Sequence, residues 1–432
     1  MNWQEIKKLK SFKEAVLTLP TSKSLTQRAL ICASLAEGIS VIKNPLISED
    51  TLLLKEALEK VGVKIETEKG SWKVEGVKGK PLLSKEKVYL GNNGTGARFF
   101  LALSVLGKGD YVEIFGKKRL HERPMGSLIE ALRKLLAKVE CLEKEGYLPV
   151  RVKESELISQ KISLPGRVSS QFFSALLQIA PYLPQGLEIE IEGELLSKSY
   201  IDLTLEVMEK FGVKVEKREK GYRVCSSFFR ATSYEIEADA SSASYFLALP
   251  LVLGKGKVVI TNYNGFSPQG DTKFLDFIKE IGAKVELKKP LGVEVSFEGR
   301  PKGGVFDLGD TPDLFPTMCI LGAVAEGRTI LRGAPHLRYK ETDRIKAMAE
   351  GLKSLGVKVE ELEDGLIIEG QDSFRPATIF TYEDHRIAMS FAILGLKIGE
   401  VKIENPECVK KSFPEFWDYL ERIYEQNSVN RF

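Results

Sequence analysis

Two polar stretches of the sequence combine groups that could bind an anion. In PTSKSLTQR, Lys23 and Ser24 precede an apolar run, and Arg28 follows one helical turn later. A cation and a hydroxyl at a helix start bind an anion through charge and hydrogen bonding together. GRVSSQ offers two hydroxyls and an amide at another helix start, a set that suits a phosphate or a polyol.

Two further stretches place charged side chains of both signs next to each other. YKETDR contains Lys340, Glu341 and Arg344, and YEDHR contains His385 and Arg386. Such runs are usually solvated helix faces with local ion pairs, so each one alone is a weak indication of function.

The helices and strands around these stretches have to position them. Along the chain, six loops of small polar residues each precede an apolar helical segment. The loops open the segments PTSKSLTQRALICASL, GNNGTGARFFLALSVL, GRVSSQFFSALLQIA, ADASSASYFLALPLVL, GDTPDLFPTMCILGAV and YEDHRIAMSFAILGL. Their first residues are 71 to 75 residues apart, which predicts six copies of a unit of about 72 residues. Three copies per domain is the simplest division.

A helix that begins after such a loop presents unpaired backbone N–H groups and the positive end of its dipole. Six such helix starts could converge on anionic ligands. The alternative is that the loops only cap their helices, because Ser, Thr, Asp and Asn are the ordinary N-cap residues.

A second set of segments predicts a helix followed by a strand. Apolar residues at helical spacing lead, mostly through a Gly, into strand-like alternation. The segments are LKEALEKVGVKIE, LIEALRKLLAKVE, LEVMEKFGVKVE, FLDFIKEIGAKVE and MAEGLKSLGVKVE. Residues 68–76, 219–226 and 363–370 are predicted to be the second arms of hairpins.

Composition narrows the class of protein. A chain of 432 residues, 43% hydrophobic and 28% charged, predicts a soluble protein of two domains, and no apolar run approaches a membrane span. The start, MNWQEIKKLK, lacks signal-peptide features, so a cytoplasmic location is expected. Five scattered cysteines and three histidines predict neither disulfides nor a metal site. A net charge of +3 without a basic stripe argues against nucleic acid.

Taken together, the motifs resemble the EPSP (5-enolpyruvylshikimate-3-phosphate) synthase family over the whole chain. The similar stretches are PTSKSLTQRA, GNNGTGAR, HERPMGSL, VSSQF, SKSYIDLT, DASSASYFLA, TPD, KETDRI, EDHRIAM and KKSFPEF. The resemblance implies an inside-out α/β barrel fold with three repeats in each of two domains, 21–238 and 1–20 plus 239–432. It further implies an active site in the cleft between the domains and closure on the first substrate.

The implied reaction transfers the enolpyruvyl group of phosphoenolpyruvate to the 5-hydroxyl of shikimate 3-phosphate by addition and elimination, in the shikimate pathway to chorismate and aromatic amino acids. No cofactor is needed, and a monomer with these small molecules as its only partners is expected. By the same resemblance shikimate 3-phosphate meets Lys23, Ser24, Arg28, Ser169, Ser170, Gln171, Tyr200, Asp313, His336 and Lys340. Phosphoenolpyruvate meets Lys23, Gly94, Arg123, Gln171, Arg344, Arg386 and Lys411.

The addition and elimination steps need one base and one acid. Asp313 is the candidate base toward the hydroxyl, and Glu341 is the candidate acid toward C3 of phosphoenolpyruvate. Lys23 would offset developing charge at the reacting oxygens, with His385 close by.

The sequence departs from the family pattern in positions that carry no charged participant. Thr21 stands where Gly is common, Asn93 and Gly96 where Ala is common, Ser199 where Pro is common, and His336 where Asn is common. These departures leave open how tightly analogues that crowd Gly94 bind.

Two alternatives remain. The sister transferase acting on UDP-N-acetylglucosamine usually has Asn after the first lysine and a loop Cys; here Ser24 follows Lys23, and no Cys lies between Cys32 and Cys141. A non-catalytic phosphate- or RNA-binding protein of the same architecture is the other.

Overall fold

An α/β fold is formed by residues 2–428, the part of the chain that the computed structural model describes. The α/β class expected from the sequence is therefore confirmed. The chain divides into two compact units. The discontinuous unit contains Met1–Pro20 and Glu237–Phe432, and the continuous unit contains Thr21–Ile236.

The helices vary from one turn to four. Within residues 2–428 the α-helices are α1 (Lys23–Leu35), α2 (Glu49–Lys60), α3 (Gly94–Ser104), α4 (Lys118–Glu122), α5 (Gly126–Lys134), α6 (Ser170–Ile179), α7 (Lys198–Lys210), α8 (Ala240–Leu247), α9 (Leu249–Leu253), α10 (Phe274–Glu280), α11 (Phe315–Val324), α12 (Arg344–Ser354), α13 (His385–Ile398) and α14 (Phe416–Ser428). Short 3-10 turns occupy Ala180–Tyr182, Gly270–Lys273, Pro312–Leu314, Pro335–Tyr339 and Pro406–Lys411.

The strands are short. In chain order, the described residues form β1 (Trp3–Ile6), β2 (Glu14–Leu17), β3 (Ile39–Lys43), β4 (Lys64–Glu68), β5 (Ser71–Glu75), β6 (Leu82–Leu83), β7 (Glu86–Tyr89), β8 (Lys108–Gly109), β9 (Tyr111–Phe115), β10 (Lys138–Cys141), β11 (Val150–Lys153), β12 (Lys161–Pro165), β13 (Leu187–Glu192), β14 (Glu216–Arg218), β15 (Gly221–Val224), β16 (Ser233–Glu235), β17 (Lys257–Ile260), β18 (Lys284–Leu287), β19 (Val293–Ser296), β20 (Val305–Asp307), β21 (Arg328–Arg332), β22 (Lys358–Glu361), β23 (Leu366–Glu369), β24 (Thr378–Ile379) and β25 (Val401–Glu404).

One sheet pattern recurs in both units: an edge strand runs parallel to a central strand, which is followed by an antiparallel hairpin. The continuous unit has the orders β16-β3-β5-β4, β7-β9-β11-β10 and β12-β13-β15-β14. The discontinuous unit has β2-β17-β19-β18, β20-β21-β23-β22 and the three-stranded β24-β25-β1. The small parallel pair β6-β8 lies apart from this pattern.

The hairpins predicted at 68–76, 219–226 and 363–370 are confirmed. Strand β5 pairs antiparallel with β4, β15 with β14, and β23 with β22. Their inner faces follow the strand alternation; in β5, for example, Trp72 and Val74 are buried while their neighbours are more exposed.

Parallel neighbours in a sheet need a long crossover, usually a helix. The apolar helices α3, α6, α11 and α13 make that connection, each leaving the end of a parallel edge strand and returning to the central strand. Four of the six polar loops that the sequence singled out are therefore the turns from edge strand to crossover helix.

These crossover helices form the core of each unit. Helix α13 is buried from His385 to Leu396 and α11 along its whole length, as expected for helices that are apolar all round. In the continuous unit α3 packs on α6, and in the discontinuous unit α11 packs on α13. Among the described helices none combines the length and the apolar character that crossing a membrane requires.

Candidate active site

Lys23 begins α1 in the continuous unit, and a buried carboxylate holds its ammonium group. Ser22 caps the helix by accepting a hydrogen bond from the Leu25 amide. Lys23 Nζ lies 2.9 Å from Oδ2 of Asp50, which stands in the first turn of α2 and is almost completely buried. The lysine is thus fixed at a helix N-terminus with its charge already compensated.

The glycine-rich loop packs directly against an arginine. A Cβ atom on Gly94 would lie 2.4 Å from Cζ of Arg123, so the guanidinium occupies the space that a side chain would need. Arg123 is 3% exposed and donates from Nη1 to the carbonyl of Asn92 at 3.3 Å. The close approach that a glycine allows at this position is to the arginine itself.

Gln171, at the start of α6, is oriented by side chains of α3. Arg98 Nη1 donates to Gln171 Oε1, and Gln171 Nε2 donates to Thr95 Oγ1 at 2.8 Å. Ser169 caps α6 by accepting from the Gln171 amide at 3.3 Å, and Ser170 follows it in the first turn. Two hydroxyls and an oriented amide therefore stand at this helix start.

Arg28 is a buried cation that neutral oxygens surround. Its Nε donates to Thr204 Oγ1 at 2.7 Å, Nη1 to the Ser24 carbonyl at 3.0 Å and Nη2 to the Tyr200 carbonyl at 3.1 Å. The guanidinium carbon also lies over the rings of Phe99 and Tyr200, 5.3 and 5.9 Å from their centres. Burial lowers the pKa of Arg28 to about 10, so a nearby anion would stabilise its charged form.

In the discontinuous unit, Arg344 joins three carboxylates. Its Nε donates to Asp384 Oδ2, Nη1 to Asp313 Oδ1 and Nη2 to Glu341 Oε2, each at 2.8 Å. The arginine is 1% exposed and begins α12, while Asp384 is fully buried and caps α13. Arg344 therefore holds the candidate base and the candidate acid in fixed positions.

Asp313 is shared between two arginines. Its second oxygen accepts from Arg386 Nη2 at 2.8 Å, and Arg386 Nη1 donates to the hydroxyl of Tyr245 at 3.2 Å. Burial acts to raise the pKa of Asp313, but the charges of Arg386, Arg344 and Lys340 outweigh it and hold that pKa well below the ordinary value. The carboxyl is ionised at neutral pH.

The remaining sequence-predicted residues of this unit lie around the same cluster. Lys411 Nζ is 4.0 Å from Glu341 Oε1, and His385 begins α13 next to Asp384, with Nδ1 3.8 Å from Asp384 Oδ1. Burial, assisted by the charge of Lys340, lowers the pKa of His336 to about 3, so its imidazole is neutral near pH 7. A neutral imidazole can donate or accept a hydrogen bond.

The sequence-predicted residues thus form two sets, one in each unit. The set in the continuous unit is Lys23, Ser24, Arg28, Gly94, Arg123, Ser169, Ser170, Gln171 and Tyr200. The set in the discontinuous unit is Asp313, His336, Lys340, Glu341, Arg344, His385, Arg386 and Lys411. In residues 2–428 no group of three or more His, Cys, Asp or Glu side chains is arranged to hold a metal ion.

Sequence reasoning missed residues that position these sets, among them Asp50, Arg98, Tyr245 and Asp384. Arg98 and Asp384 lie inside GNNGTGAR and EDHRIAM, so their motifs could have assigned them a role. Asp50 gave no such signal, because an acid in the first turn of a helix is ordinary.

Comparison with known proteins identifies relatives of this chain. The family model for EPSP synthase (3-phosphoshikimate 1-carboxyvinyltransferase) matches residues 6–420. The chain is 40% identical over 410 residues to the 3-phosphoshikimate 1-carboxyvinyltransferase of Methanothermobacter thermautotrophicus, covering 95% of this chain and 96% of that protein. It is 42% identical over 417 residues to that of a Sulfurovum species, with the same coverage.

Solved structures agree. An EPSP synthase structure from Acinetobacter baumannii superposes with a TM-score of 0.81 at 27% identity, covering 98% of each chain. Sequence match and fold point the same way, and the chain belongs to the EPSP synthase (3-phosphoshikimate 1-carboxyvinyltransferase) family.

Proposed function

We propose that this chain transfers the enolpyruvyl group of phosphoenolpyruvate to the 5-hydroxyl of shikimate 3-phosphate, releasing phosphate and giving 5-enolpyruvylshikimate 3-phosphate. This is a step of the shikimate pathway to chorismate and the aromatic amino acids. The observation that carries the proposal is the position of Asp313 between Arg344 and Arg386. A proton acceptor stands among cations that suit the phosphate and carboxylate of phosphoenolpyruvate.

The ion pairs of Asp313 suggest how its basicity is controlled. With both arginines on its oxygens, the carboxylate has a lowered pKa and is a weak base. Anionic groups of phosphoenolpyruvate that bind Arg344 and Arg386 would compete for those guanidinium donors. The pKa of Asp313 would then rise toward the range in which a general base is effective.

Proton transfer in the two steps balances if Asp313 and Glu341 act in turn. In the addition, Asp313 takes the proton of the 5-hydroxyl group while the hydroxyl oxygen attacks C2 of phosphoenolpyruvate. Glu341 delivers a proton to C3. In the elimination, C3 returns a proton to Glu341, the C2=C3 double bond forms as the bond from C2 to the phosphate oxygen breaks, and Asp313 gives its proton to the departing phosphate. In this proposal Lys411, whose Nζ lies 4.0 Å from Glu341 Oε1, and His385 offset the charge on the departing phosphate.

The continuous unit supplies the remaining binding groups in this proposal. Lys23, Gly94, Arg123 and Gln171 bind phosphoenolpyruvate, and Lys23 also bridges to the reacting oxygens. The buried cation Arg28 supports a site for an anionic acceptor. In this proposal shikimate 3-phosphate is bound by Lys23, Ser24, Arg28, Ser169, Ser170, Gln171 and Tyr200 of this unit, and by Asp313, His336 and Lys340 of the discontinuous unit.

The finer architecture is part of the proposal. We propose six repeats in the inside-out α/β barrel arrangement, with domains 21–238 and 1–20 plus 239–432 acting on one pair of substrates and closing on the first. Six sheets with a parallel edge strand and an antiparallel neighbour support it. A cytoplasmic monomer that binds only small molecules remains the expected state.

One assay tests the reaction and its acceptor. Purified protein is mixed with phosphoenolpyruvate and either shikimate 3-phosphate or UDP-N-acetylglucosamine, and phosphate release is followed. We expect release with shikimate 3-phosphate alone. Release only with the nucleotide sugar would overturn the acceptor but keep the reaction, and release with neither would favour a non-catalytic binding protein.

A further inference from the structure

The side chain of Asn93 connects three backbone and side-chain groups of the continuous unit. Its Oδ1 accepts from the Gly96 amide, capping α3, and its Nδ2 donates to Gln27 Oε1 and to the Asp50 carbonyl, all at 2.8 Å. Asn93 and Gln27 are fully buried, and Asp50 is 2% exposed. One amide thus joins the starts of α3 and α2 to the second turn of α1.

Only a glycine fits at residue 96, mainly because the Asn93 side chain lies beside it. A Cβ atom at residue 96 would lie 2.3 Å from Asn93 Nδ2 and 2.8 Å from its Cγ, closer than real Cβ atoms approach other heavy atoms. The φ angle of Gly96 lies outside the left-handed region, so space and not backbone conformation requires the glycine here. Asn93 and Gly96 are a matched pair.

The matched pair connects to two groups of the proposed site. Asp50, whose carbonyl accepts from Asn93, holds Lys23 through its carboxylate at 2.9 Å. Gly94 follows Asn93 directly, and the Arg123 guanidinium occupies the space that a side chain at residue 94 would need. Loss of the Asn93 amide would release both the carboxylate that fixes the lysine and the loop that seats the arginine.

We propose that Asn93, together with Gly96, is a positioning residue that sets the phosphoenolpyruvate side of the site by fixing Asp50 with its bound Lys23 and the backbone at Gly94. This inference rests on the proposed function, because it assigns phosphoenolpyruvate to that loop. Asn93 itself touches neither substrate in this account.

Three substitutions separate positioning from helix capping. Asn93→Ala removes all three hydrogen bonds, while Asn93→Ser keeps an oxygen that can cap α3 but loses the donors to Gln27 and Asp50. Gly96→Ala forces a Cβ atom into Asn93, and the double variant Asn93→Ala/Gly96→Ala relieves that collision.

We expect Asn93→Ala and Asn93→Ser to raise KM for phosphoenolpyruvate about tenfold, with less change in KM for shikimate 3-phosphate. Ser should restore much of the unfolding midpoint lost with Ala, without restoring KM. Gly96→Ala should lower kcat/KM about tenfold in the wild type but less than about twofold in the Asn93→Ala background.

Asn427 provides a matched control in the discontinuous unit. It is also a buried asparagine with three hydrogen bonds, accepting from the Lys13 amide and donating to the Glu14 and Ile423 carbonyls. Asn427→Ala should lower the unfolding midpoint about as much as Asn93→Ala and leave KM for phosphoenolpyruvate unchanged.

Two results would overturn the inference: additive effects of Asn93→Ala and Gly96→Ala on kcat/KM, or equal KM shifts in Asn93→Ala and Asn427→Ala. A wild-type protein without turnover on shikimate 3-phosphate would refute the proposed function instead. In that case a non-additive effect of the two substitutions on the unfolding midpoint would still support the matched pair.

Discussion

Asp384 and Arg344 form an ion pair between Oδ2 and Nε at 2.8 Å, and the two side chains are 0% and 1% exposed. The pair joins the start of α13 to the start of α12, 40 residues apart in the chain. Because Arg344 also holds Asp313 and Glu341, Asp384 determines where the candidate acid and base stand.

Asp384→Asn keeps an oxygen to cap α13 but removes the charge that faces buried Arg344. Breaking one side of a buried pair costs about 3 kcal/mol, so the free energy of unfolding should fall by that order, together with kcat/KM. Urea unfolding and steady-state kinetics measure both. Asp343→Asn is the control, since Asp343 caps α12 but pairs with Arg338 at the surface, where the loss should stay under about 1 kcal/mol. Equal losses in the two variants would contradict the role of Asp384.

Asp313→Asn and Glu341→Gln test the acid and base directly. Each removes a proton-transfer group while keeping nearly the same shape, so kcat should fall by about 10²- to 10⁴-fold. Glu407→Gln, at a surface position paired with Lys410, should leave kcat unchanged. If both active-site variants retained near-normal turnover, the acid and base would have to be sought elsewhere.

Gly94→Ala tests the packing of the Arg123 guanidinium against Gly94. The new methyl group would lie 2.4 Å from the guanidinium carbon, so Arg123 must move away from the loop. We expect KM for phosphoenolpyruvate to rise by about tenfold or more, the cost of one charge-assisted contact. Gly126→Ala is the matched control, because a Cβ there meets its nearest neighbour at an ordinary 3.6 Å. An unchanged KM in Gly94→Ala would show that Arg123 does not contact this substrate.

His336 predicts a pH dependence of stability. Its pKa is lowered to about 3 when folded, against about 6.5 when unfolded. Between these pH values His336 is protonated in the unfolded chain but neutral in the folded one. Its contribution to the free energy of unfolding is therefore fully present above about pH 6.5 and is lost as pH falls toward 3. His336→Asn removes the titrating group, so its unfolding midpoint should fall less between pH 7 and 4. Parallel pH curves for the two proteins would refute this.

Local features of the site could be predicted from the sequence because they depend on neighbours in the chain. The loops before α1, α3, α6, α8 and α13 do begin helices, and Ser22, Asn93, Ser169, Asp239 and Asp384 cap them. Capping is thus real in five of the six loops, as the simpler interpretation held. It coexists with the clusters of charge around those helix starts.

Contacts between distant segments could not be predicted in this way. The ion pair of Lys23 with Asp50 depends on how α1 packs on α2, and the bonds of Arg98 to Gln171 depend on the packing of α3 on α6. The residue pattern of one segment does not indicate which residue of another segment will contact it. The residue types were visible in the sequence, and the pairings come from tertiary packing.

The discontinuous unit is closed by the beginning of the chain. Strand β2 pairs with β17, Glu14 lying beside Lys257, and β1 pairs with β25. During synthesis on the ribosome, these first strands emerge long before their partners, while Thr21–Ile236 completes its own sheets. The continuous unit can therefore fold cotranslationally. The discontinuous unit must keep β1 and β2 unpaired until their later partners are made.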